Sequence, residues 1–152
     1  MNVVFVYGSL MEERVLSTVV GRMPAFQPGL LLGYTRYAIK DRVYPGIRTT
    51  KPDDKVTGLL VSKLSDEEIR RLDSFEDDDY DRVEENIFTE NGEAHRANVY
   101  VWKKELEAEL KPTLWDYDKD FMPHVEEYVA NSKRFAEHGY SWDFDVDTTA
   151  KE

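Results

Sequence analysis

The sequence predicts an α+β fold: a small, strongly curved sheet with helices packed on its flank. Three observations lead there. Apolar, β-branched and aromatic runs recur over residues 3–7, 30–39, 56–62, 82–90 and 93–103, as strands do. Two of these runs carry an internal glycine, Gly33 and Gly58, and repeated glycines within strands mark the bends of a small barrel. Helical spacing of apolar residues appears in three further stretches, beginning near residues 9, 65 and 116.

The first element is the run Val3-Val4-Phe5-Val6-Tyr7, whose unbroken apolar character predicts a strand buried on both faces. It stops at Gly8, and Ser9-Leu10-Met11-Glu12 follows with capping-box spacing. Val15, Leu16, Val19 and Val20 then keep helical spacing up to Gly21. A strand that turns directly into a helix leaves main-chain N–H groups aimed at one point, which is a ready-made anion site. An ordinary, well-capped strand–turn–helix has the same signature, and both readings stand at this point.

Residues 23–28 read as an irregular linker because of Pro24 and Pro28. Residues 30–39 read as one strand interrupted at Gly33. Tyr44-Pro45-Gly46-Ile47 is a turn signal that could wall a pocket or simply join strands. Ser65-Asp66-Glu67-Glu68 forms a second capping box and opens a helix ending near Glu76. Asn91-Gly92 joins two strands and predicts a two-residue type I′ turn. A short polar helix is expected over residues 104–111, stopped by Pro112. A long amphipathic helix is expected from about Asp116 to His138, stopped by Gly139, with Pro123 in its first turns or at a kink. Beyond it Trp142 and Phe144 are expected to dock, with residues 146–152 fraying.

Composition excludes several classes of function. The 152 residues suit one domain, and 41% hydrophobic content is that of a globular chain. The absence of cysteine removes disulfides, thiol nucleophiles and cysteine zinc sites. No apolar run approaches the length of a membrane span, and the N-terminal run lacks the basic flank of a secretory signal, so the expected address is the cytoplasm. Thirty-one acidic against twenty basic residues give a net charge of −11, with Lys and Arg scattered, so neither a nucleic acid nor a membrane is an expected partner. His95, His124 and His138 are too dispersed to suggest a metal site.

The acidic run from Asp73 to Asp81 fails as a calcium loop. Starting from Asp77, its sixth position is Arg82 instead of glycine and its twelfth is Phe88 instead of glutamate. Most of the run reads as a solvated loop. Glu76 differs. At about 100° per residue, Ile69, Leu72 and Phe75 define the buried stripe, and Glu76 lies roughly 40° from its centre. Asp73, Asp77 and Asp78 lie roughly 100° or more away and are expected to face water. An inward carboxylate is unfavourable unless it is paired or used, and burial raises its pKa toward the range of a general base. Either use as an acid–base group or pairing, with backbone donors or with Arg36 or Arg82, fits this position.

Together, Tyr7-Gly8-Ser9-Leu10 after an apolar strand, Tyr44-Pro45-Gly46-Ile47, and Leu72-Asp73-Ser74-Phe75-Glu76 followed by Tyr80 and Arg82 resemble the γ-glutamylcyclotransferase-like superfamily. The branch most like it is the plant avirulence-induced-gene type, with its long C-terminal amphipathic helix and Trp102 and Trp115 upstream. The resemblance runs over about residues 3–139, which implies one domain over 1–139 and a partly disordered tail over 140–152. It implies a small mixed β-barrel flanked by helices. It also implies that the main-chain N–H groups of Tyr7, Gly8, Ser9 and Leu10 hold the α-carboxylate of a γ-glutamyl group, and that Glu76 is the catalytic carboxylate. The implied reaction is attack of the substrate's own α-amine on its γ-carbonyl, giving 5-oxoproline. Some members carry glycine directly after the glutamate, where this chain has Asp77.

Such chemistry needs no metal, no organic cofactor and no side-chain nucleophile, because the substrate supplies the nucleophile. The expected partner is therefore a small γ-glutamyl compound; oligomeric state has no signature in the sequence. Two other readings compete. One is a non-catalytic ligand- or partner-binding module on the same fold, which has no use for an unpaired inward Glu76. The other is a two-carboxylate hydrolase pairing Glu76 with one of Asp77 to Asp79, which is weaker because adjacent residues diverge on a helix.

Overall fold

The computed structural model describes residues 2–143. Its centre is a closed barrel of β1 (Asn2–Val6), β5 (Lys55–Leu64), β2 (Ala25–Leu32), β6 (Tyr80–Phe88) and β7 (Ala94–Trp102), in that order around the ring. Closure comes from β1, antiparallel to β5 and parallel to β7. A central strand with neighbours on both sides explains the continuous apolar run, and Val4 and Phe5 are fully buried. At Gly58 of β5 the backbone passes so close to the Val6 carbonyl oxygen that an added Cβ would collide with it.

A second sheet, β4 (Pro45–Thr49), β3 (Tyr34–Ile39) and β8 (Leu110–Leu114), lies beside the barrel. Among the described residues, three α-helices flank the sheets: α1 (Glu13–Val20), α2 (Asp66–Glu76) and α3 (Val125–Glu137). Phe75 of α2 meets Tyr128 and Phe135 of α3 edge-on, with ring centroids 6.3 and 5.3 Å apart. Fully burying each such ring is worth about 1.5–3 kcal/mol. The Ser65 capping box is complete: its side chain accepts from the Glu68 amide, and Glu68 reaches back to the Ser65 amide. Among the described residues no helix is long and apolar enough to cross a membrane.

Several local expectations change. No capping box forms at Ser9. Residues Ser9–Met11 are a 3-10 turn, Glu12 is extended, and the Ser9 hydroxyl donates to the Tyr128 hydroxyl at 2.9 Å. The supposed linker over 23–28 enters β2 at Ala25. Pro28 is tolerated there because β2 meets β6 only at Leu30 and Phe88, leaving its early half edge-like. Gly33, at φ +84, divides 30–39 into two strands of different sheets. Pro45, Gly46 and Ile47 begin β4 rather than forming a turn. The hairpin loop is wider than a type I′ turn. The Thr89 amide bonds the Glu93 carbonyl and the Gly92 amide bonds the Thr89 carbonyl, with only Gly92 left-handed. That is a three-residue loop with a glycine bulge.

The polar stretch Lys104–Glu109 is 3-10 rather than α-helical, and Pro112 stands inside edge strand β8. The long helix begins late: Tyr117–Phe121 is a π-helical turn and Met122–His124 a 3-10 turn containing Pro123, so regular helix starts at Val125. Trp142 docks as expected. The docking of Phe144 and the fraying of 146–152 lie outside the described residues.

Candidate active site

A narrow cleft opens where β1 ends. The chain from Phe5 to Leu10 forms one side, and Tyr44, Pro45, Glu76, Tyr80 and Tyr100 complete it; its free space, mouth included, is about 320 Å³. Residues far apart in sequence, Tyr7 to Leu10 and Glu76, thus line the same cleft. Gly8 sits at φ −132, ψ −128 and presses on the start of β4. An added Cβ would stand 2.7 Å from Pro45 Cδ, which only glycine avoids.

Hydrogen bonds fix the loop from behind. Arg36 donates through Nη1 to the Tyr7 carbonyl at 2.8 Å and the Thr57 carbonyl at 2.9 Å, and lies over the Trp115 ring. Burial lowers the Arg36 pKa from its ordinary value. The Tyr7 hydroxyl donates to the Tyr100 carbonyl. The Met11 and Glu12 amides donate back to the Gly8 and Ser9 carbonyls at 3.0 and 3.1 Å. The turn's internal ladder therefore begins at Met11, and the amides of Ser9 and Leu10 are first-turn donors that no carbonyl of the turn can reach. Among the described residues, no lysine or arginine lines the cleft.

Glu76 is the last residue of α2 and is half-buried. The arginines that sequence alone offers as partners are engaged elsewhere: Arg36 at Tyr7 and Thr57, and Arg82 Nε 3.4 Å from Asp73 Oδ1. Asp73 is not the solvated residue that its wheel position predicts. It is half-buried and accepts the Tyr100 hydroxyl at 2.7 Å. Burial, then Asp73, then Glu76 push the Tyr100 phenol well above its ordinary pKa, so it remains a protonated donor.

Tyr44, Pro45 and Tyr80 line the cleft, with the Tyr80 hydroxyl bonding the Pro45 carbonyl at 2.7 Å, whereas Gly46 packs on Trp102. Tyr100 and the supporting role of Arg36 escape sequence reasoning. Alternation in a strand could place Tyr100 on an inner face, but nothing local marks which neighbour its hydroxyl meets. His124 and His138 are exposed, and His95 lies 3.5 Å from Glu93.

The comparisons with known proteins agree with this fold. The family model described as "Gamma-glutamyl cyclotransferase, AIG2-like" matches residues 4–120. AIG2-like protein D of Arabidopsis thaliana is 37% identical over 139 residues, 90% of either chain. A second Arabidopsis thaliana protein, solved in solution, is 29% identical and superposes with a TM-score of 0.67 over 98% of this chain and 90% of that chain. A yeast γ-glutamyl cyclotransferase specific to glutathione shares the fold at 11% identity, with a TM-score of 0.60 over 95% and 99% of the two chains. A barrel of this topology, with a Tyr-Gly-Ser-Leu loop facing a helix-terminal glutamate, and matches of this extent place the chain in the AIG2-like γ-glutamyl cyclotransferase family.

Proposed function

We propose that the chain is a γ-glutamylcyclotransferase that releases 5-oxoproline from a γ-glutamyl amide. The observation that carries this reading is that Glu76 and the Tyr7–Leu10 loop line one cleft. The loop's main-chain amides receive the α-carboxylate of the glutamyl head. With no cationic side chain among the described residues of the lining, these dipoles are what an anion meets there. Held at that end, the glutamyl chain folds so that its α-nitrogen reaches its own γ-carbonyl carbon. A flexible chain becomes a near-attack geometry.

The α-amine forms the new C–N bond of the five-membered lactam. The bond from the γ-carbon to the leaving nitrogen breaks. Glu76 takes the proton shed by the attacking nitrogen and returns it to the departing amine, so the reaction consumes no water and leaves the carboxylate unchanged. Tyr44, Pro45 and Tyr80 contact the departing group.

Incubating the purified protein with γ-glutamyl amino acids, γ-glutamylamines and glutathione, and measuring 5-oxoproline, tests the reading. Formation of 5-oxoproline from at least one compound is expected. None from any compound contradicts it.

A further inference from the structure

The C-terminus of α2, which ends at Glu76, is gripped by a segment lying beyond the stretch matched by the family model, which stops at residue 120. After α3, Gly139 and Tyr140 both take left-handed conformations, φ +73 and +59, and the Tyr140 and Ser141 amides bond the Phe135 carbonyl. This reversal sends the chain back across α2. There the Trp142 indole N–H donates to the Phe75 carbonyl at 2.9 Å. The same indole packs on the Phe75 and Phe135 rings, at centroid distances of 5.4 and 4.9 Å. Tyr140 is pinned separately, its ring 4.1 Å from the Arg71 guanidinium carbon, and Arg71 donates to the Val20 carbonyl.

The Phe75 carbonyl belongs to the peptide that leads into Glu76. It is one of the last carbonyls of α2, which lack a helical partner. The residue that follows Glu76 is also fixed in an unusual way: Asp77 sits at φ 63, ψ −159. A peptide held by an indole on one side and a strained residue on the other has little freedom to rotate.

From this arrangement we infer that residues 140–143 are a positioning strap for Glu76, with Trp142 as its positioning residue. The strap acts on the carboxylate through the Phe75–Glu76 peptide and does not line the cleft. Its catalytic consequence rests on the proposed cyclotransferase reading; its structural consequence does not.

The test compares the full chain with Trp142→Phe, which keeps an aromatic ring on Phe75 and Phe135 but removes the N–H donor, and with a chain ending at Gly139. Loss of the donor is expected to lower kcat by about 5–10-fold, and loss of the strap by about 100-fold, with KM within about twofold. In parallel, the Glu76 carboxyl carbon is observed by 13C NMR, where its signal moves in Trp142→Phe. A kcat unchanged in Trp142→Phe while thermal stability falls makes the strap merely structural and overturns the inference. If wild-type protein forms no 5-oxoproline, the proposed function fails and the NMR signal alone decides. A Glu76 signal displaced in Trp142→Phe sustains the strap, and an unmoved one overturns it.

Discussion

Asp77 occupies φ 63, ψ −159, a region that glycine enters freely and other residues enter at a cost of about 1–3 kcal/mol. The strain sits directly behind Glu76. Asp77→Gly removes the Cβ that causes it and adds about 0.4–1 kcal/mol of unfolded-chain entropy, so a net gain of about 1 kcal/mol is expected. Thermal unfolding checks this as a rise of about 2–4 °C in Tm; a fall in Tm would show that the conformation is unstrained.

Helical phase made the inward side of α2 readable from three apolar residues. The same phase places Glu68 roughly 40° on the other side of the stripe, and it too is buried. What phase does not reveal is the partner. Glu68 is held by Arg22, with contacts of 2.7 and 3.0 Å, from a turn 46 residues away. Asp73 likewise departs from its expected exposure because a phenol from β7 comes to meet it.

At the scale of elements, α2 depends on a cap written entirely in local sequence. Ser65→Ala removes the acceptor for the Glu68 amide and is expected to cost about 1 kcal/mol in denaturant unfolding, with the m-value unchanged. Glu68 also links α2 to pH. The Arg22 guanidinium, with help from the Ser65 amide, lowers its pKa from 4.5 to about 2. A folded pKa below the unfolded one means stability that is present above about pH 4.5 and lost as pH falls toward 2. Arg22→Ala is therefore expected to flatten the acid limb of the stability curve below pH 4.5, and an unchanged limb would remove this ion pair from acid denaturation.

The capping motif at Ser9 shows why such signals fail. Ser9 and Glu12 have the right spacing, but Tyr128 lies within reach of the Ser9 hydroxyl and the turn tightens to 3-10. A contact across 119 residues overrides one across three. Pro28 misleads for a similar reason, since only the sheet topology tells that β2 is scarcely paired at that point.

The whole molecule brings the site together by closing the barrel. β1 delivers the Tyr7–Leu10 loop, β4 supplies the Pro45 wall, and β6 and β7 supply Tyr80 and Tyr100. The strands that carry the loop, Tyr80 and Tyr100 are visible in the sequence, and the apolar strand, the loop and the helix-terminal glutamate carry the family resemblance that implies the architecture. The second sheet is not visible, because its β4 edge begins at what reads as a turn and its β8 edge meets β3 from over 70 residues away, which leaves no local trace. Nor is the strap, whose reversal depends on a left-handed Tyr140 that its side chain does not announce.

The most direct measurement of the central claim is steady-state 5-oxoproline release by Glu76→Gln beside wild type, on whichever γ-glutamyl compound wild type turns over, paired with titration of 5-oxoproline onto each protein. A general acid–base role predicts a fall in kcat of about 10²–10⁴-fold with 5-oxoproline affinity largely retained. Full activity in Glu76→Gln would contradict it.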